Sequence, residues 1–123
     1  MNRRQRLVAL FCMSFAIATP LNGNNAMKMQ VWPAISREPA VLTVRVMVEP
    51  STDNRMLQIV AESRNYFRRS EVQVDGDHAA PLNVFEFRNL PTGTYEVTSV
   101  LVGSHGQRAT ATGVARVEPA TGR

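Results

Sequence analysis

The chain has 123 residues, 14 Lys+Arg against 10 Asp+Glu for a net charge of +4, a 44% hydrophobic composition and a single cysteine. This length suits one domain of the commonest size, able to bury a core without a covalent staple. One cysteine excludes a disulfide framework and Cys-ligated zinc or iron–sulfur sites, and the dispersed basic residues exclude a nucleic-acid footprint.

The first residues read as an address. Arg3, Arg4 and Arg6 make a basic start, and Leu7 to Ala18 is an apolar run shorter than the ~18 apolar residues of a membrane-spanning helix. Ala16-Ile17-Ala18 supplies the small residues that signal peptidase needs, with Ala26 as a later site. The expected organisation is a cleaved signal over 1–18 (or as late as 26), a leader or linker over 19–40, a folded domain over 41–117 and a tail over 118–123. Arg3-Arg4 fits a twin-arginine signal poorly, and Phe11 before Cys12 fits a lipoprotein signal poorly. Three of the 14 basic residues and Cys12 leave with the signal while all 10 acids stay, so the mature chain carries +1 and no thiol. The location implied is periplasmic or secreted, with no transmembrane segment after cleavage.

After the leader the chain alternates. Met27 to Trp32 reads as a short edge strand, and Pro33 and Pro39 bracket a turn. Val41 to Glu49 sets Leu42, Val44, Val46 and Val48 on one face and Thr43, Arg45, Met47 and Glu49 on the other, the period of a half-buried strand. Pro50 to Asn54 is a turn by composition. Met56 to Ser63 turns Leu57, Ile59 and Ala61 inward, Arg64 to Phe67 rounds a corner, and Ser70 to Asp75 follows with Val72 and Val74 inward. Phe85 and Phe87 alternate with Glu86 and Arg88 up to the break at Pro91 and Gly93, and Tyr95, Val97, Ser99 and Leu101 resume the pattern. Gly103 to Gly106 reads as a hairpin loop. Gln107 to Val117 closes the domain with Ala109, Ala111, Ala115 and Val117 inward and a bulge at Gly113. No helical period follows the signal. Six to seven short strands with regular turn signals predict an all-β, antiparallel sandwich of two sheets.

The element Leu90-Pro91-Thr92-Gly93-Thr94-Tyr95, following an F-x-F strand, resembles the corner of bacterial extracytoplasmic immunoglobulin-like and fibronectin type III-like modules, and of carboxypeptidase-regulatory-like domains. The resemblance implies an immunoglobulin-like sandwich over about 41–117. In it Leu90, Pro91 and Gly93 build a structural corner, and Tyr95 anchors it through its hydroxyl to a backbone group. Such a superfold carries many unrelated functions. Lys28, the one lysine, lies outside the pattern that isopeptide-forming adhesins need.

Chemistry-bearing residues are sparse. His78 and His105 fall in loops and neither has a second histidine at metal-ligand spacing. Ser63, Ser70, Ser99 and Ser104 pair with a histidine only on paper, and none sits in a G-x-S-x-G elbow. Asp75, Asp77 and Asn83 read more simply as turn formers than as a calcium loop. No catalytic residue, cofactor site or metal site is assigned. Trp32, Tyr66, Phe67, Arg68 and Arg69 are the candidate contacts for a ligand or partner, because an exposed aromatic among arginines can stack on a sugar or anchor a protein. The expectation is therefore a non-enzymatic exported sandwich serving as a protein–protein interaction or accessory module in the cell envelope, partnered by another envelope protein. An envelope-glycan binding domain is its alternative.

Overall fold

The structure is a computed structural model and describes residues 26–120. The expected signal segment lies outside the described residues. Eight strands follow one another with no helix among the described residues. They are β1 (Met27–Trp32), β2 (Ile35–Arg37), β3 (Ala40–Val48), β4 (Asn54–Ser63), β5 (Tyr66–Gln73), β6 (Leu82–Leu90), β7 (Gly93–Gly103) and β8 (Gly106–Glu118). They form two sheets, β1-β3-β6 and β2-β8-β7-β4-β5, antiparallel throughout except for β2 beside β8. The all-β, two-sheet expectation holds at that level.

The alternation read from the sequence is what closes the core. Leu42, Val44 and Val46 of β3 are fully buried and face Leu57, Ile59 and Ala61 of β4 and Val97 and Leu101 of β7. Ala109, Ala111, Ala115 and Val117 complete the larger sheet's inner face. Each Val, Leu or Ile removed from water in this way contributes about 1.5–3 kcal/mol before chain entropy is counted. The small alanines of β8 leave room for β1 to pack over that strand.

Several expectations are corrected. The edge strand expected over Met27–Trp32 is present as β1 and supplies Met27 and Met29 to the core, but the rest of the expected linker is not free, since β2 joins the other sheet. The chain crosses between sheets at Pro33 and again at Pro39, where a missing N–H costs no ladder bond. The tail begins later than 118, because Glu118 pairs with Arg37 and its carbonyl accepts from the Glu38 amide at 2.9 Å. The corner expected over 64–67 narrows to residues 64 and 65, so Tyr66 and Phe67 open β5. Gly113 is not a bulge. It pairs in register with Val97, and a Cβ there would meet Val31 Cγ2 at 3.1 Å, so its bare backbone leaves room for the β1 side chains Met29 and Val31.

At the Leu90–Tyr95 corner, Asn89 takes a left-handed conformation with φ 56°. Tyr95, fully buried, donates its hydroxyl to the Pro91 carbonyl at 2.6 Å. Tyr66 meets the Tyr95 ring edge-on, with centroids 5.5 Å apart.

Candidate functional site

Strand direction decides which loops meet. Antiparallel pairing of β4 with both β5 and β7 brings three connections, residues 49–53, 74–81 and 104–105, to one end of the sandwich. The Ser104 amide donates to the Asp53 carbonyl at 3.2 Å, the Gly76 amide to that of Asn54 at 3.1 Å, and the Val74 amide to that of Arg55 at 3.0 Å. The Glu49 amide reaches the Ala26 carbonyl at 2.9 Å, so the start of β1 arrives there too.

Asn54 is the buried hub of this end, 1% exposed. A polar side chain so placed must have its hydrogen bonds made. Its amide donates to the Glu49 carbonyl at 3.1 Å and its Oδ1 accepts from the Arg108 guanidinium. Arg108 also lies 3.4 Å by Nε from Asp53 Oδ2. Asp53 Oδ1 in turn accepts from the Ser104 amide at 3.2 Å and from the Ser104 hydroxyl. The Ser104 Oγ lies 3.2 Å from His105 Nδ1.

The hydrogen bonds from the Ser104 hydroxyl and amide, with Arg108 and His105 adding smaller attractions, hold the Asp53 carboxyl below its ordinary pKa. Asp53 is therefore an ionised acceptor, while Ser104 and His105 are open to solvent. Gly103 makes the approach feasible, since a Cβ there would lie 2.6 Å from Arg108 Cδ and 2.8 Å from both Asp53 O and Oδ2. Sequence reading sets Ser104 beside His105 but misses Asp53, which is 51 positions away.

The predicted contact residues are not brought together. Trp32 lies at the end of β1, whereas Tyr66, Phe67, Arg68 and Arg69 lie on β5, at the far edge of the other sheet. Phe67 is exposed, Arg69 pairs with Glu71 at 3.5 Å, and Tyr66 is half-buried with its ring on Tyr95. His78 stands on the 74–81 loop, 3.1 Å from Asp77, and Asn83 donates to the Ala80 carbonyl at 3.4 Å.

No family model matches the chain, and no curated protein matches it in sequence. Solved structures do match in fold. A superoxide reductase (neelaredoxin) from Ignicoccus hospitalis is 18% identical, with 85% of this chain and 98% of that one covered at a TM-score of 0.57. A Thermotoga maritima protein assigned as a superoxide reductase is 11% identical, with 75% and 85% covered at 0.55. A family 76 glycoside hydrolase from a bovine Bacteroides thetaiotaomicron strain matches 74% of this chain over 20% of its own, at 16% identity and 0.52.

At these identities the likeness establishes the fold. Reduction of superoxide is a one-electron step and needs a redox-active metal or cofactor, which side chains alone do not replace. Among the described residues no group of three or more His, Cys, Asp or Glu is placed to hold a metal ion. His78 and His105 each engage a local partner instead. The donor set does not fit such a centre, so no chemistry is routed through one.

The comparison nevertheless corrects the functional expectation. A small sandwich of this kind was expected to be a non-catalytic interaction or accessory module, or a glycan-binding domain, and not an enzyme. The superoxide reductases from Ignicoccus hospitalis that share its fold, over 81 to 98% of their own length, are enzymes, which overturns that expectation.

Proposed function

We propose that the chain is an enzyme of the hydrolytic, acyl-transfer class that works at this loop end. Ser104 is its nucleophile, His105 its general base and Asp53 the carboxylate that holds Ser104 and lies near His105 as a charge. The observation that carries the reading is the position of the Ser104 hydroxyl, in contact with an ionised carboxylate on one side and an imidazole nitrogen on the other.

A serine hydroxyl is a weak nucleophile until a neighbouring base removes its proton. Here the Ser104 hydroxyl turns its proton from Asp53 Oδ1 to His105 Nδ1, 3.2 Å from its oxygen, and Oγ attacks an ester carbonyl carbon as that proton passes to the imidazole. The imidazolium so formed lies within the attraction of the Asp53 charge. It then protonates the departing alcohol, leaving an acyl group on Ser104, and water repeats the sequence to release the acid. Arg108 keeps Asp53 ionised and in place from the opposite side. Because Ser104 and His105 are exposed on a two-residue turn, the reading favours an ester that is accessible on its own or presented from a larger molecule.

The basic and apolar start of the sequence, with its A-x-A site, supports an exported setting, periplasmic or secreted. The Tyr95 hydroxyl on the Pro91 carbonyl supports an immunoglobulin-like corner as the finer description of the sandwich.

The test is hydrolysis of a p-nitrophenyl ester by the purified chain and by Ser104→Ala, His105→Gln and Asp53→Asn, with melting points for each. The reading expects Ser104→Ala to fall to the buffer rate and His105→Gln to lose about 10²-fold or more, at little change in melting point. A Ser104→Ala protein as active as the parent would overturn it.

A further inference from the structure

We infer that the outer face of the three-stranded sheet β1-β3-β6 is a docking surface for an anionic lipid bilayer. An antiparallel sheet ordinarily keeps one face polar where it meets water. This one does not. Of eight large hydrophobic side chains exposed among the described residues, five lie on this face: Trp32, Val41, Met47, Leu82 and Val84. Strand register sets Met47 beside Leu82, Val84 beside Arg45 and Trp32 beside Thr43, so the apolar side chains share the face with polar ones. Several large apolar side chains exposed on one face of a small domain point to an interaction site. Two shallow grooves, of about 320 and 330 Å³, open on it and share Lys28 and Met47 in their walls.

Charge selects the occupant. Lys28 and Arg45 point out from the same face, and neither enters an ion pair among the described residues. Two acids share this face: Glu86, held by Arg88 at 2.9 Å, and Glu49, which lines one groove with Lys28 and Met47. The face thus sets exposed apolar side chains among three cations, Lys28, Arg45 and Arg88, and two acids, Glu49 and Glu86, for a small positive excess. That composition matches an interface where aliphatic side chains enter the acyl boundary, a tryptophan sits at headgroup depth and cations meet anionic lipid. A second copy fits less well. Arg45 occupies the middle of the middle strand, and a two-fold apposition centred on this face sets it against its own symmetry mate.

Trp32 is the one tryptophan of the chain and reports on the face itself. The experiment titrates the full chain with vesicles of mixed phosphatidylcholine and phosphatidylglycerol, and with phosphatidylcholine alone, reading Trp32 emission and acrylamide quenching. The expected result is a blue shift and protection from quenching on the anionic vesicles, both reversed by salt. Lys28→Glu with Arg45→Glu, two outward positions whose change leaves the melting point in place, should partition about tenfold more weakly or worse. Met47→Ser with Val84→Ser should lose the blue shift.

The inference is overturned by an unchanged Trp32 spectrum on anionic vesicles. Vesicle pelleting with Trp32 still quenched would mean attachment through another part of the chain and overturns it equally. So does a charge-reversed variant that binds like the parent, or a lipid-independent blue shift that tracks dimer formation.

Discussion

The hydroxyl of Tyr95 donates to the carbonyl of Pro91, four residues upstream, at 2.6 Å, from a side chain with no exposure to solvent. The bond ties the start of β7 to the corner that ends β6, and burial raises the phenol's pKa because the charged form has no water there. Tyr95→Phe keeps the ring and its edge contact with Tyr66 but strands the Pro91 carbonyl. It should cost about 1 kcal/mol, a fall in melting temperature of about 4–8 °C for a domain of this size. Equal melting points for the two proteins would remove the corner bond from the account.

Two carboxylates, at opposite ends of the sandwich, make the fold acid-sensitive. Glu38 accepts from the Thr92 hydroxyl at 2.8 Å and amide at 2.9 Å, and Asp53 accepts from Ser104 as described. The Thr92 hydroxyl first and its amide second lower the Glu38 pKa from 4.5, and Ser104 in the same order lowers that of Asp53 from 3.8. A carboxyl whose folded pKa is depressed stabilises the fold fully above its unfolded pKa and loses that contribution as pH falls through the folded value. Stability should therefore be flat above pH 4.5 on account of these groups and decline below it. The double variant Glu38→Gln, Asp53→Asn should decline less steeply. Parallel acid-unfolding curves for the two proteins would contradict this.

Gly103 tests how tightly the loop end is built. Gly103→Ala puts a Cβ against the Asp53 backbone, which cannot move aside as a flexible side chain can. Overpacking of this kind costs about 1–3 kcal/mol, and it should also separate Asp53 from Ser104 and lower ester hydrolysis. Gly106→Ala is the contrast. Nothing lies within 4 Å of its would-be Cβ, but its φ of 113° is one that L side chains rarely adopt. It should lose stability through backbone strain with the Asp53–Ser104 contact retained. An active, fully stable Gly103→Ala protein would show that the close approach is not needed.

Much of the fold was legible because burial imposes a period of two. Leu42 to Val48, Leu57 to Ala61 and Tyr95 to Leu101 each show the inward set that the structure buries. β2 was not legible, since three residues, Ile35, Ser36 and Arg37, carry no period and pair only because the far end of β8 offers a free edge. The left-handed Asn89 was hidden for a related reason: the turn chemistry pointed to Gly93, while the corner took its positive φ two residues before Pro91. The site was half legible. Ser104 and His105 are neighbours in sequence, but Asp53 joins them only through strand register, as Glu38 joins Thr92 across 54 positions. The exposed face of the smaller sheet was concealed by its own alternation, because Thr43, Arg45 and Glu49 on β3 look wet until β1 and β6 add Trp32, Leu82 and Val84 to the face that carries Met47.

The central claim, that Ser104 is a reactive hydroxyl rather than a tie that closes a hairpin, is tested most directly by covalent trapping. The purified chain is incubated with a fluorophosphonate, and its mass and the labelled peptide are read by mass spectrometry. The account predicts one phosphonyl group per chain, on Ser104, with labelling slowed in His105→Gln and abolished in Ser104→Ala. A chain that stays unlabelled, or is labelled at Ser63, Ser70 or Ser99 instead, would contradict it.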